Sequence, residues 1–116
     1  MANNIRLTAS VATVNISTPV ALNKTHLLGG QGKEGYLRIA SALPITSTVL
    51  VQGAPTALAT HAVPASNSTD WTTLLTLTSA SPTQQIINDL PEWIRLNTTV
   101  LDADGPDLEI FLSTTP

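Results

Sequence analysis

The residues best suited to metal chemistry form an acidic segment late in the chain. Asp102, Asp104 and Asp107 surround Gly105-Pro106, and closely spaced carboxylates supply the hard oxygen ligands that calcium prefers. The segment lacks the full loop and the closing glutamate of an EF-hand. Aspartate and glycine are also usual in tight turns, because they tolerate unusual backbone angles. We therefore expect a plain turn here, with calcium binding as the alternative, and no required metal or cofactor.

The other polar candidates for catalysis do not combine into a known arrangement. His26 and His61 are the two histidines of the chain, and they do not have the His-x-x-x-His spacing that places two ligands on one metal. No Gly-x-Ser-x-Gly segment supplies a hydrolase nucleophile. Asp89 and Glu92 flank a proline, and acidic pairs in turns seldom perform glycosidase chemistry. The sequence predicts that the protein is not an enzyme.

Two tryptophans are the side chains best suited to binding a ligand or a partner. Trp71 and Trp93 each offer a large aromatic face, and such faces stack on sugar rings or fill pockets at subunit interfaces. Tryptophans also fill cores and sheet edges. Both interpretations stay open at this point.

The charge of the chain restricts the classes of protein to which it can belong. Its 116 residues suit one domain. Only 11% of them are charged and the formal net charge is -3, whereas a nucleic-acid surface gathers lysine and arginine. No apolar run is long enough for a membrane span, and the first residues do not resemble a signal peptide. We expect a soluble chain, made in a cytoplasm, that binds neither nucleic acid nor membrane.

The chain contains no cysteine, so neither a disulfide nor a thiolate metal site stabilises it. This suits a reducing compartment. Solubility usually depends on surface charge, and a protein covered by other subunits needs less of it. A low-charge monomer and an assembled protein are both compatible with the composition.

Short segments that alternate apolar and polar residues recur along the chain. Seven or eight of them, separated by glycine- and proline-rich turns and without helical periodicity, predict an all-β sandwich or barrel over residues 1–116. The last two segments, 93–100 and 108–112, flank the acidic turn, and we expect them to form a hairpin. Their alternation predicts a core that includes Ile94, Leu96, Val100, Leu108, Ile110 and Leu112.

Three segments together resemble a pattern found in galactose-binding-like β-sandwiches. They are Val-Leu-Val-Gln-Gly at 49–53, Asp-Trp-Thr-Thr-Leu at 70–74 and Trp-Ile-Arg-Leu-Asn at 93–97. The same order is similar to that of small structural proteins of tailed phages, and the resemblance covers roughly the last two thirds of the chain. Ala54-Pro55 stands where serine and Asp-Gly are usual, so no ligand residue carries over.

The resemblance implies a single-domain, jelly-roll-like sandwich of antiparallel strands and a place in a virion. The function that it implies is capsid decoration: a cement protein on the capsid surface that binds the major capsid protein and its own copies, with a trimer favoured. The alternative is a carbohydrate- or receptor-binding module of a phage tail. Glycine-rich and apolar loop residues and the two tryptophans are the predicted interface residues: Leu27, Leu28, Gly30, Leu58, Val63, Trp71 and Trp93.

Overall fold

A computed structural model describes residues 3–9, 16–22, 34–40, 47–55, 63–78, 81–101 and 108–114. These residues form strands and no helix, which confirms the prediction of an all-β chain. No helix that could span a membrane is found among them. The strands are β1 (Asn3–Ala9), β2 (Val20–Ala21), β3 (Gly35–Ile39), β4 (Thr48–Ala54), β5 (Thr72–Leu77), β6 (Gln84–Ile87), β7 (Trp93–Val100) and β8 (Leu108–Thr114).

The strands pair into two antiparallel sheets of four. Sheet A has the order β1-β8-β3-β6, and sheet B has the order β2-β7-β4-β5. Among the described strands, β4 and β5 are the only consecutive pair in the same sheet. The chain therefore crosses from one sheet to the other at each of the remaining six connections. Buried apolar residues from both sheets form one cluster. The arrangement is β-sandwich-like, and it favours the sandwich over the barrel.

The alternation of apolar residues explains which face of each strand is buried. In β7 and β8 the predicted core residues Ile94, Leu96, Leu108, Ile110 and Leu112 are all buried, because side chains two positions apart lie on one face of a strand. Other strands add aliphatic side chains to the same core. They include Leu7, Leu37, Val49, Val51 and Leu77.

Val100 was predicted to be buried, and that prediction is wrong because its side chain is 46% exposed. The pairing of β4 with β7 shifts at this point: Thr48 pairs with Val100, but Val49 pairs with Thr98. One residue of β7 is therefore extra. An extra residue in a strand changes the face on which the following side chains lie, and Val100 is exposed.

The predicted hairpin of the last two strands is also wrong. β7 pairs with β2 and β4 in sheet B, whereas β8 pairs with β1 and β3 in sheet A. The chain passes from one sheet to the other between Leu101 and Leu108. Alternation defines the buried face of a strand, but it carries no information about the neighbour across the sheet.

The connection between β6 and β7 closes one end of the space between the sheets. Leu90 is buried there and packs on Gly35, the first residue of β3. A β-carbon at Gly35 would come 2.9 Å from Leu90 Cδ2. The backbone amide of Leu22 donates a hydrogen bond of 2.8 Å to the carbonyl of Glu92. This connection therefore holds β2 and β3 at the same end of the molecule.

Candidate functional site

Three connections, β2–β3, β4–β5 and β6–β7, leave or enter the sheets at this same end. Ala21 at the end of β2 and Ala54 at the end of β4 both pair with Trp93 at the start of β7. Gly35 at the start of β3 lies under the β6–β7 connection. We call this end of the molecule the loop end, and its described residues are 21–22, 34–35, 53–55, 63–71 and 88–93.

By their positions in the sequence, the predicted interface residues fall between β2 and β3, between β4 and β5, and at the start of β7. Val63 is 36% exposed, and Trp93 is half-buried. Four others lie outside the described residues, in chain segments that depart from Leu22 and Pro55. These four are Leu27, Leu28, Gly30 and Leu58.

Trp71, the remaining interface candidate, is packed inside the chain. Its side chain is 8% exposed, and its indole Nε1 donates a hydrogen bond of 3.0 Å to the carbonyl of Ala65. The guanidinium of Arg95 lies over the ring, with Cζ 4.1 Å from the ring centroid. One face of this tryptophan is therefore covered by an arginine of the same chain.

Arg95 is the centre of a polar cluster that ties the segment 63–71 to sheet B. Its Nε donates a hydrogen bond of 3.0 Å to Oε1 of Gln52 on the neighbouring strand β4. Its Nη1 donates a hydrogen bond of 2.9 Å to the carbonyl of Ser66. We call Gln52, Ser66, Trp71 and Arg95 the Arg95 cluster. It connects two strands and a loop through one side chain.

The Arg95 cluster contains a buried positive charge that no described carboxylate neutralises. The Arg95 side chain is 3% exposed, and the ion pair found among the described residues is the one between Arg6 and Glu109. Burial lowers the pKa of the Arg95 guanidinium, yet arginine stays protonated in proteins. Its charge is compensated by the two oxygen acceptors and by the aromatic ring.

The cluster unites the three segments that carry the resemblance to galactose-binding-like sandwiches. Gln52 comes from 49–53, Trp71 from 70–74 and Arg95 from 93–97, and their side chains meet. In this chain these residue types pack a loop against a sheet. The result is a preorganised base for the loop end, and the ring of Trp71 does not form an open platform for a sugar.

The metal-ligating candidates of the sequence form no cluster within the described ranges. No three histidine, cysteine, aspartate or glutamate side chains among those residues lie close enough to hold a metal ion. Asp89 has a φ of 54°, a left-handed conformation that aspartate tolerates in turns. The acidic segment and both histidines lie outside the described residues: His26, His61, Asp102, Asp104 and Asp107.

A second surface, which sequence reasoning did not single out, is the outer face of sheet A. Strands β3, β6 and β8 form a shallow concavity of about 730 Å³. We call its outward-facing side chains the sheet A platform: Tyr36, Arg38, Gln84, Ile86, Phe111 and Ser113. Alternation in β3 and β8 indicates that Tyr36, Arg38 and Phe111 face away from the core. The proximity of β3, β6 and β8 follows only from the pairing of the strands.

Comparison with known proteins adds no relative to this description. The sequence matches no family model, and searches of curated proteins and of solved structures give no significant match. The function has to be inferred from the residues of the chain itself.

Proposed function

We propose that this protein is a virion decoration protein with a jelly-roll fold, which binds a capsid shell protein and its own copies through the loop end. The observation that supports the proposal is that two predicted interface residues, Val63 and Trp93, belong to the loop end, where the Arg95 cluster ties the segment 63–71 to sheet B.

The strand order supports the jelly-roll topology. An eight-stranded jelly roll is made of two Greek keys folded into two sheets, and the orders 1-8-3-6 and 2-7-4-5 are those that this folding produces. Jelly rolls occur in viral capsid proteins and in lectins. Because a fold by itself does not define a function, the argument for decoration comes from the loop end.

The loop end has the properties of a contact surface. Val63 is exposed there, and the connections that meet at this end contain further aliphatic residues, Leu27, Leu28 and Leu58. The Arg95 cluster holds the segment 63–71 in one position through the carbonyls of Ala65 and Ser66. A loop that is ordered before binding loses less conformational entropy when it binds. The low content of charged residues, 11%, suits a surface that other subunits cover.

Many weak contacts are enough for this function. Copies bound across a symmetric shell act together, so each contact contributes to the stability of the particle even when a single copy binds weakly. A trimer or another cluster of copies on the shell surface would add contacts between the copies themselves. We therefore expect the effect on the whole particle to exceed the effect on one isolated subunit.

The test compares native particles that carry the protein with particles that lack it. We expect the decorated particles to release their genome at a higher temperature. Adding purified protein back should restore that temperature, whereas Val63→Asp should restore less, because it places a charge on the exposed apolar part of the loop end. Thr76→Asp is the matched control, because Thr76 is exposed on sheet B away from the loop end.

Equal release temperatures with and without the protein would contradict the proposal. If electron microscopy then located the protein on a tail, the alternative of a receptor-binding module would replace it. Restoration by Val63→Asp that equals restoration by Thr76→Asp would contradict the role of the loop end.

A further inference from the structure

The sheet A platform combines the exposed side chains of Tyr36 and Ile86 and the half-buried ring of Phe111 with planar polar side chains. Tyr36 and Ile86 are among the most exposed large apolar residues of the described chain, and they pair across β3 and β6. Phe111 on β8 pairs with Arg38 on β3. Diagonal neighbours on paired antiparallel strands, such as Tyr36 and Phe111, lie within reach of each other's side chains. The two rings therefore belong to one surface.

The polar groups of the platform offer donors and acceptors around these rings. The guanidinium of Arg38 lies over Phe111, with Cζ 5.8 Å from the ring centroid, and its N–H groups are donors only. Gln84 pairs with Arg38 from the other side, on β6, and its amide both donates and accepts. A ligand that satisfies this set carries hydrogen-bonding groups, such as hydroxyls, beside an apolar face.

Glu34 adds a carboxylate next to Tyr36. The pKa of the Tyr36 phenol is raised, mainly because its hydroxyl donates a hydrogen bond to Glu34 and also because of the negative charge of that carboxylate. Glu34 is itself exposed. Glu34 and Arg38 lie on either side of Tyr36 along the chain, so their opposite charges sum to zero and the platform favours a ligand without net charge.

The size of the concavity suits a small ligand. The footprint of the concavity is roughly 13 Å on a side, because it spans three strands about 4.8 Å apart and about four residues along each strand. Stable protein interfaces bury about 800 Å² on each partner, far more than this footprint supplies. The volume of about 730 Å³ lies within the range of small-ligand sites, about 300–1,000 Å³.

We infer that the outer face of sheet A binds a short neutral oligosaccharide, one of whose rings stacks on the exposed Tyr36 and packs beside the half-buried Phe111 while its hydroxyl groups bond to Arg38, Gln84 and Glu34. Nucleic acid does not suit the described part of this surface, because Arg6, its second basic residue, is already paired with Glu109 at 3.1 Å. The site shares only Glu34 with the loop end as defined above and uses neither tryptophan. It goes beyond the proposed decoration function and does not depend on it.

The experiment titrates the full-length, isotope-labelled protein with cellotriose, maltotriose and triacetylchitotriose at millimolar concentrations and follows its amide signals by NMR. We expect saturable shifts in β3, β6 and β8 with at least one of these trisaccharides. Phe111→Ala, Arg38→Ala and Gln84→Ala should each weaken that binding about tenfold, the equivalent of one stacking or charged hydrogen-bond contact. Thr76→Ala on sheet B is the matched control and should bind as the unsubstituted protein does.

Three results would overturn the inference. The first is the absence of shifts in sheet A with all three trisaccharides. The second is sugar-dependent shifts confined to the indole signals of Trp71 and Trp93, which would place the sugar at the loop end. The third is a concentration-dependent shift of the β3 and β8 signals without sugar, accompanied by a dimer mass in sedimentation, which would make this face a contact between copies. A dispersed NMR spectrum shows that a variant is folded, so that loss of binding can be told from loss of folding. If Phe111→Ala does not fold, Gln84→Ala still tests the site, because Gln84 is exposed and its substitution should leave the fold intact.

Discussion

The ring of Pro91 lies against the α-carbon of Gly53, so that a β-carbon added to Gly53 would come 2.3 Å from Pro91 Cγ. The preceding residue, Leu90, makes the corresponding contact with Gly35 of sheet A. Two adjacent residues of the β6–β7 connection therefore pack on both sheets at the loop end, Leu90 on sheet A and Pro91 on sheet B. Each glycine is required because a neighbour occupies the space of its side chain.

We expect Gly53→Ala to destabilise the protein by about 1–3 kcal/mol, the usual cost of overpacking. Gly35→Ala should cost less, because the nearest atoms there are the flexible end of the Leu90 side chain, whereas the Pro91 ring is rigid. Urea denaturation of both variants measures the difference. Pro91→Ala removes the clashing Cγ, so adding it to Gly53→Ala should cost less than the sum of the two single changes. Additive costs would contradict the contact.

Arg95→Ala should destabilise the protein by about 1–3 kcal/mol, because the carbonyl of Ser66 loses the donor that Arg95 supplies and Oε1 of Gln52 keeps only the longer hydrogen bond of 3.4 Å from Asn97 Nδ2. Amide hydrogen exchange in the segment 63–71 should become faster. Arg38→Ala is the matched control, since Arg38 also lies over an aromatic ring but is exposed, and its effect should stay within about 0.5 kcal/mol. Chemical denaturation compares the two, and equal costs would show that the Arg95 cluster does not anchor the loop.

Leu96→Asp should unfold the domain, because Leu96 is fully buried and the new carboxylate would have no partner. Val100→Asp in the same strand should be tolerated, since Val100 points to solvent after the shift in pairing. Circular dichroism and thermal melting separate the two variants. A folded Leu96→Asp protein, or an unfolded Val100→Asp protein, would contradict the placement of β7.

Tyr36 should titrate at a higher pH than an ordinary tyrosine, because Glu34 raises its pKa. Native protein holds this proton more tightly than unfolded protein, so the associated stability is present below the ordinary tyrosine pKa of about 10 and is lost as the pH rises through the raised value. Tyr36 is the single tyrosine of the chain, so ultraviolet absorbance follows it directly. Glu34→Gln should lower its pKa, and an unchanged titration would argue against the contact.

The faces of the strands were predictable from the sequence. Alternation in β8 places Leu108, Ile110 and Leu112 inward, because successive side chains of a strand point to opposite sides. The same rule places Phe111 outward. The break at Leu90-Pro91 was also visible, but the packing of these two residues on Gly35 and Gly53 depends on contacts between segments far apart in the chain.

The candidate surfaces could be predicted only in part. Loop residues such as Val63 were recognised from their apolar character, but the position of the segment 63–71 beside the start of β7 follows from the pairing of β4 with β5 and β7. Trp71 was expected to be available to a partner, and the structure covers one of its faces with Arg95 from another strand. No local pattern records that contact, because the two residues approach only when β4, β5 and β7 have paired.

The sequence alone determined that the chain is all-β, where most of its strands lie and which of their side chains are apolar enough to be buried, since these properties depend on residues a few positions apart. The tertiary structure decided which strands are neighbours. It separated β7 from β8, exposed Val100 through a shift of pairing, and brought Tyr36, Arg38 and Phe111 onto one face. The physical reason is that strand pairing depends on hydrogen bonds and packing between segments that are distant in the sequence. The alternation of apolar residues along a strand has a period of two whichever strand is its neighbour, so it does not identify that neighbour.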